Sequence, residues 1–274
     1  MLSGLFAALR EALRFAFGTL SVLPVRVSRW DRPTAGRAMA IAPVVGVVLG
    51  ALAAGVAAGL AWAHSGALLA AVAGVGTLAA LTRGLHLDGL ADVADGLGSS
   101  RPPAAALKIM KASDIGPFGV IVLMLTLLAQ IAAVARCFDL GLERGAFALL
   151  LAGVTSRTTL LRGCQEGVPS AREDGLGAMV AGTVRRRHAA AIALLTVTLL
   201  FLAGYCLAES GDDRLPLALG ALVAAVAGLA LASVLLTHCV RRFGGMTGDV
   251  LGAMVESSAT VALLVWTLFA AATP

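Results

Sequence analysis

Long runs without charge constrain this chain more than any other feature. Residues 38–63 contain no Asp, Glu, Lys or Arg, and similar stretches recur along the sequence. A helix that crosses the hydrocarbon core of a bilayer needs about 20 mostly apolar residues, because each backbone polar group must be paired within the helix. Candidate spans fall at 38–63, 66–83, 115–135, 145–162, 189–208, 215–237 and 257–273. The fourth is the most polar, with Ser156, Arg157, Thr158 and Thr159 inside it. An arginine at that depth is costly and is expected to face protein or a wet cavity. Residues 2–23 mix apolar residues with Arg10, Glu11 and Arg14, which suits an amphipathic helix on the membrane surface better than a cleavable signal. The expected fold is therefore all-α: a polytopic membrane protein of about seven transmembrane helices plus an N-terminal amphipathic helix, in a single domain over 1–274.

Composition excludes the main alternative. The chain is 59% hydrophobic and 14% charged, with a mean hydropathy of +0.91, whereas soluble domains carry about 45–50% apolar and about 25% charged residues. A soluble fold would have to bury seven nearly uncharged helices at once. The net charge of +5 does not indicate a nucleic-acid binder, because aromatic residues are 5% and the arginines sit between apolar segments. Cys137, Cys164, Cys206 and Cys239 are scattered without CxxC spacing and read as small packing residues.

Seven spans sort the connections onto two sides. One side receives 1–37, 84–114, 163–188 and 238–256. The other receives 64–65, 136–144, 209–214 and Pro274. Of 21 Lys and Arg residues, only Arg136, Arg144 and Arg214 fall clearly on the second side. The bias of basic residues toward the cytoplasm then makes the first side cytoplasmic.

That side also collects the acidic motifs. Gly84-Leu85-His86-Leu87-Asp88-Gly89-Leu90-Ala91-Asp92-Val93-Ala94-Asp95-Gly96 spaces three aspartates at i, i+4 and i+7, which places Asp88, Asp92 and Asp95 on one helix face. Such a stripe repels itself unless a cation lies among the carboxylates. Oxygen-only ligands suit Mg²⁺, Mn²⁺ or Ca²⁺ rather than zinc. Gly89 and Gly96 would let a phosphate approach the backbone. His86 is a candidate base or supporting group, with packing as the blander alternative.

Three more segments share this side. Lys108-Ile109-Met110-Lys111-Ala112-Ser113-Asp114-Ile115-Gly116 offers two lysines for an anion, although juxtamembrane lysines also serve as plain anchors. Ala171-Arg172-Glu173-Asp174-Gly175-Leu176-Gly177 mixes both charges. Gly244-Gly245-Met246-Thr247-Gly248-Asp249-Val250-Leu251-Gly252-Ala253-Met254-Val255-Glu256 reads as a substrate-contact loop leading into an apolar helix, with Asp249 and Glu256 seven apart on one helical face. Together they suggest a metal–phosphate site at the membrane surface, with carboxylates holding cations and basic residues neutralising phosphate charge.

The run G-L-H-L-D-G-L-A-D-V-A-D-G resembles the signature of the cobalamin synthase, or adenosylcobinamide-GDP ribazoletransferase, family. G-G-M-T-G-D-V-L-G-A-M-V-E, A-R-E-D-G-L-G and the early P-V-V-G-V-V-L-G (Pro43 to Gly50) match it in order and rough spacing. The resemblance implies an Mg²⁺-dependent enzyme of the bacterial inner membrane. It joins adenosylcobinamide-GDP to α-ribazole or its 5′-phosphate, with GMP leaving and cobalamin or its 5′-phosphate forming. One segment departs from the pattern. Family members commonly read M-[RK]-D-S-R-[IL]-G where this chain has Met110-Lys111-Ala112-Ser113-Asp114-Ile115-Gly116, so the acid stands two places later and Asp114 is only a possible ligand.

With those substrates, a ribazole hydroxyl would attack the β-phosphorus. Asp88, Asp92 and Asp95 would hold one or two Mg²⁺ ions, with Asp114 as a possible further ligand. Asp92, Asp95 and Asp249 are the catalytic candidates, Asp95 or Asp249 as proton acceptor. His86, Lys108, Lys111, Arg172, Glu173, Asp174, Gly245, Thr247, Gly248, Asp249 and Glu256 are the substrate-binding candidates. Two other readings fit less well. A CDP-alcohol phosphotransferase would carry A-R between its first DG pair and the later aspartates, and this chain does not. A corrinoid transporter would place its acids at mid-membrane depth and not at one surface.

Overall fold

The computed structural model describes residues 2–208 and 211–273; Pro274 and part of the expected 209–214 connection lie outside them. Among the described residues the regular structure is helical: α1 (Leu2–Leu20), α2 (Arg32–Ala40), α3 (Ala42–Trp62), α4 (Ala67–Leu81), α5 (Leu85–Gly98), α6 (Pro103–Ile109), α7 (Pro117–Leu140), α8 (Leu142–Gly163), α9 (Gly175–Val180), α10 (Arg186–Leu207), α11 (Gly211–Phe243) and α12 (Gly248–Ala272).

The long helices α3, α4, α7, α8, α10, α11 and α12 run back and forth between two ends of a bundle. At one end Arg144 donates to the carbonyls of Ala270 and Thr273 at 3.0 and 2.9 Å. At the other, the amides of Val22, Ala171 and Glu166 donate to the carbonyls of Leu81, Met246 and Val184 at 2.7–2.9 Å. The short helices α1, α2, α5, α6 and α9 gather at this second end. Large apolar side chains face outward on the long helices, among them Ile121, Met124, Leu125 and Leu128 on α7 and Leu194, Leu195, Leu199 and Leu202 on α10. A water-facing surface would not carry so continuous an apolar coat, whereas lipid accepts it.

Five helices (α3, α7, α10, α11 and α12) are long and apolar enough to cross a membrane, and the pair α4–α5 would make a sixth if counted as one broken span. That supports five or six of the seven expected crossings. Counting that pair, the remaining one is α8. Its 22 residues would reach about 33 Å at 1.5 Å per residue, but Glu143, Arg144, Arg157 and Arg162 interrupt it. Thr155, Ser156, Arg157, Thr158 and Thr159 are all buried, so the polar run of α8 faces protein, as expected for Arg157. Its close partner is α3. Gly46 of α3 packs onto the backbone of Gly153, and a Cβ on Gly153 would lie 2.8 Å from the Gly46 carbonyl oxygen. Small residues at such a contact let two backbones approach without a hydrophobic drive between them.

Three boundaries depart from expectation, each for a local reason. The first span divides at Ile41, because Pro43 opens a new helix there. Arg83 and Gly84 both adopt positive φ, 54° and 68°, and turn the chain by 87° between α4 and α5. α5 therefore crosses the end of the bundle and does not prolong α4. α12 begins at Gly248, nine residues before the expected span, because Thr247 caps it by accepting the Val250 amide at 3.2 Å. α1 is the expected amphipathic helix, with Ala12, Phe15, Ala16 and Leu20 buried and Phe6 and Leu9 exposed.

Candidate active site

α5 is placed by glycine. A Cβ on Gly89 would stand 2.8 Å from the Asp249 carbonyl oxygen, and one on Gly252 would stand 3.0 Å from that of His86. The first turns of α5 and α12 thus lie backbone to backbone. This contact brings the aspartates of two distant motifs together.

The three aspartates of α5 grade from solvent to interior: Asp88 is exposed, Asp92 half-buried and Asp95 buried. Asp95 has a defined structural partner. Its Oδ2 accepts from the Gly116 amide at 2.8 Å and its Oδ1 from the Gly119 amide at 3.0 Å. Those amides belong to the first turn of α7, whose N–H groups have no partner within the helix, and a carboxylate there also meets the positive end of the helix dipole. Asp92 lies under stronger electrostatic pressure. Burial first, then the carboxylates of Asp249, Asp88 and Asp95, push its carboxyl up to about 7 against the opposing pull of Arg172.

Basic groups close the arrangement. Arg172 bonds Asp249 Oδ2 through Nη1 at 3.1 Å and the Leu107 carbonyl through Nη2 at 2.9 Å. It ties the segment before α9 to both α6 and α12. The Thr247 hydroxyl also donates to Asp249 Oδ2 at 3.2 Å. Lys111 pairs with Asp174 at 3.1 Å, holding that carboxyl below the ordinary carboxylate range.

Between these groups lies a cavity of about 250 Å³. Of the predicted site residues, His86, Asp88, Lys111, Arg172, Asp174, Thr247, Gly248 and Asp249 line it. The others, Asp92 and Asp95 among them, are not in its lining. Lys108, Asp114 and Glu173 are exposed outside the lining. Gly245 is buried against the backbone of Ser170 and Ala171 and serves packing. Glu256 is two turns inside α12, where it accepts from Gln130 Nε2 at 3.0 Å and shares a small internal void with Arg157. It left the expected loop because α12 starts early. The walls also include Leu20, Met39 and Ser170, which sequence reasoning missed. Leu20 and Met39 come from apolar positions without a polar signal. Gln130 was missed too, although a lone amide in the apolar run of α7 was visible.

The donor chemistry fits a hard divalent cation. Among the described residues no three His, Cys, Asp or Glu side chains stand close enough to hold a metal unaided. Mg²⁺ ordinarily uses one or two carboxylates and completes its shell with water and phosphate. Asp88 and Asp249 line the cavity and both raise the proton affinity of Asp92. A cation among them would relieve that repulsion.

Fold and site together define a multi-pass helical membrane protein with a mixed acidic and basic cavity at one end of its bundle. The chain belongs to the cobalamin-5-phosphate synthase family, whose profile matches residues 12–267. It is 43% identical over 92% of its length to an adenosylcobinamide-GDP ribazoletransferase of Frankia casuarinae, covering 92% of that protein. It is 41% identical over 94% of its length to the same-named protein of a Nocardioides species, covering 99%. A Chlorobium chlorochromatii protein of that name is 37% identical over 93% of the chain, with 92% of its own length covered. No solved structure matches the chain significantly.

Proposed function

We propose that this chain is an Mg²⁺-dependent adenosylcobinamide-GDP ribazoletransferase, a phosphotransferase of the inner membrane whose cavity opens toward the cytoplasm. The convergence of Asp88, Asp249, Arg172 and Lys111 from separate elements on one cavity carries the proposal. Names of relatives supply the reaction, and the concentration of Lys and Arg at the cavity end supports the orientation.

In this reading Asp88 and Asp249 would hold the metal, with Asp92 beside them. Bound Mg²⁺ would neutralise charge on a pyrophosphate and on the departing GMP. Arg172, whose Nη1 and Nη2 are held by Asp249 and the Leu107 carbonyl, would offer its remaining N–H groups to a phosphate oxygen. Lys111 exchanges its surface partner Asp174 for the substrate. The hydroxyl oxygen of α-ribazole, or of its 5′-phosphate, bonds to the β-phosphorus as the bond to GMP breaks, and GMP leaves with the electron pair. Asp92, whose carboxyl is pushed up to about 7 without a cation and would be lowered from that value by the bound metal, would accept the hydroxyl proton, directly or through one water.

The test is an assay of purified protein with adenosylcobinamide-GDP and α-ribazole. Equimolar GMP and corrinoid product are expected with Mg²⁺, and none with chelator. Activity on CDP-alcohols in place of these substrates, or corrinoid uptake into proteoliposomes without chemical conversion, would overturn the reading.

A further inference from the structure

A second groove lies at the cavity end of the bundle, on a different set of elements. It is about 420 Å³ and opens between the C-termini of α8 and α11 and the N-terminus of α10. Arg162, Arg186 and Arg241 line it, one from each helix, against a single carboxylate, that of Glu166. Two of these arginines are oriented by neighbours: Arg162 Nη1 donates to Gln165 Oε1 at 3.0 Å and Arg186 Nε to the Glu166 carbonyl at 3.2 Å. Leu236 and Val240 form an apolar floor.

The groove does not end at the arginines. Arg162 and Gln165 also line an adjoining furrow of about 190 Å³, which runs between α8, α10 and α11 over Ala193 and Leu229. α10 bears the outward Leu194, Leu195 and Leu199 beside it, so the furrow opens where acyl chains lie. A basic head compartment joined to an apolar slot on the lipid side has the shape and charge of an anionic phospholipid. Basic pockets between transmembrane helices are known to favour such headgroups. Arginine suits them because its planar fork meets phosphate in two places.

We infer that this groove binds one anionic phospholipid, its phosphate among Arg162, Arg186 and Arg241 and one acyl chain in the furrow. The site shares no lining residue with the catalytic cavity. Its occupancy is read without turnover, so it stands or falls apart from the proposed reaction.

The experiment is native mass spectrometry of the full chain released from nanodiscs of phosphatidylglycerol and phosphatidylcholine. The wild type is expected to retain one phosphatidylglycerol in preference to phosphatidylcholine. The triple variant Arg162→Gln, Arg186→Gln, Arg241→Gln should retain it about 10-fold less. A control that removes three charges elsewhere at that end (Arg10→Gln, Arg26→Gln, Arg29→Gln) should retain it as wild type does. Ala193→Phe, which fills the furrow and keeps every charge, should weaken phosphatidylglycerol but not inorganic phosphate, distinguishing a lipid site from a phosphate site. Equal loss in the triple variant and the charge control, or undiminished retention in the triple variant, would overturn the inference. So would phosphatidylglycerol binding that ignores Ala193→Phe.

Discussion

Asp92 and Asp95 are three residues apart and in different circumstances. Asp95 is satisfied by two amides of α7, whereas Asp92 is crowded by like charges. Their variants should separate. Asp95→Ala leaves the α7 start uncapped and should cost about 1–2 kcal/mol of stability, seen as a lower melting temperature with or without chelator. Asp92→Asn should abolish turnover while the protein still inserts. Its stability effect follows from linkage. The folded protein holds the Asp92 proton up to about 7, whereas an unfolded aspartate loses it near 3.9. Between these values the native state binds more protons, so this residue's contribution to stability falls as pH rises through that window. Metal-free Asp92→Asn should therefore melt higher than metal-free wild type at pH 8, and the gap should narrow by pH 5 and close only below the unfolded value near 3.9. A gap as large at pH 5 as at pH 8 would contradict the assignment. The i, i+4, i+7 spacing made the acidic stripe legible in sequence. It did not show that Asp95 points inward, because its amide partners arrive from the start of a helix that begins 22 residues later.

At the element scale the site depends on α5 crossing α12. Gly252 faces the His86 carbonyl at van der Waals limits, so Gly252→Val must push α5 away. Overpacking of this kind costs about 1–3 kcal/mol, and activity should fall by more than the loss of stability explains. Unfolding and turnover measured on the same preparation test this. Apolar periodicity gave most of the long helices and their approximate bounds, since hydrocarbon length leaves little choice. The 87° turn was not legible, because a positive φ at Arg83 is not signalled by its residue type. Nor was the early start of α12, where the Thr247 cap extended the helix through a segment expected as a loop. That extension carried Glu256 into the bundle with Gln130 and Arg157.

Across the whole molecule, charge and lipid contact divide the labour. Apolar side chains coat the long helices, and the polar apparatus gathers at the end that holds most of the Lys and Arg. Orientation is testable with single cysteines in a Cys206→Ser background, since the other three native cysteines are buried. An impermeant maleimide added outside intact spheroplasts should label His64→Cys and leave Lys111→Cys unlabelled until the membrane is opened. The central claim is that the cavity between α5, α9 and α12 receives the substrate. It is tested most directly by protection of Ser170→Cys, at the cavity wall, in the same background. With Mg²⁺ and adenosylcobinamide-GDP present, labelling of Ser170→Cys should slow about 10-fold or more, while labelling of Gly167→Cys in the lipid groove is unchanged. Unaltered labelling of Ser170→Cys in a preparation that turns over would contradict the account.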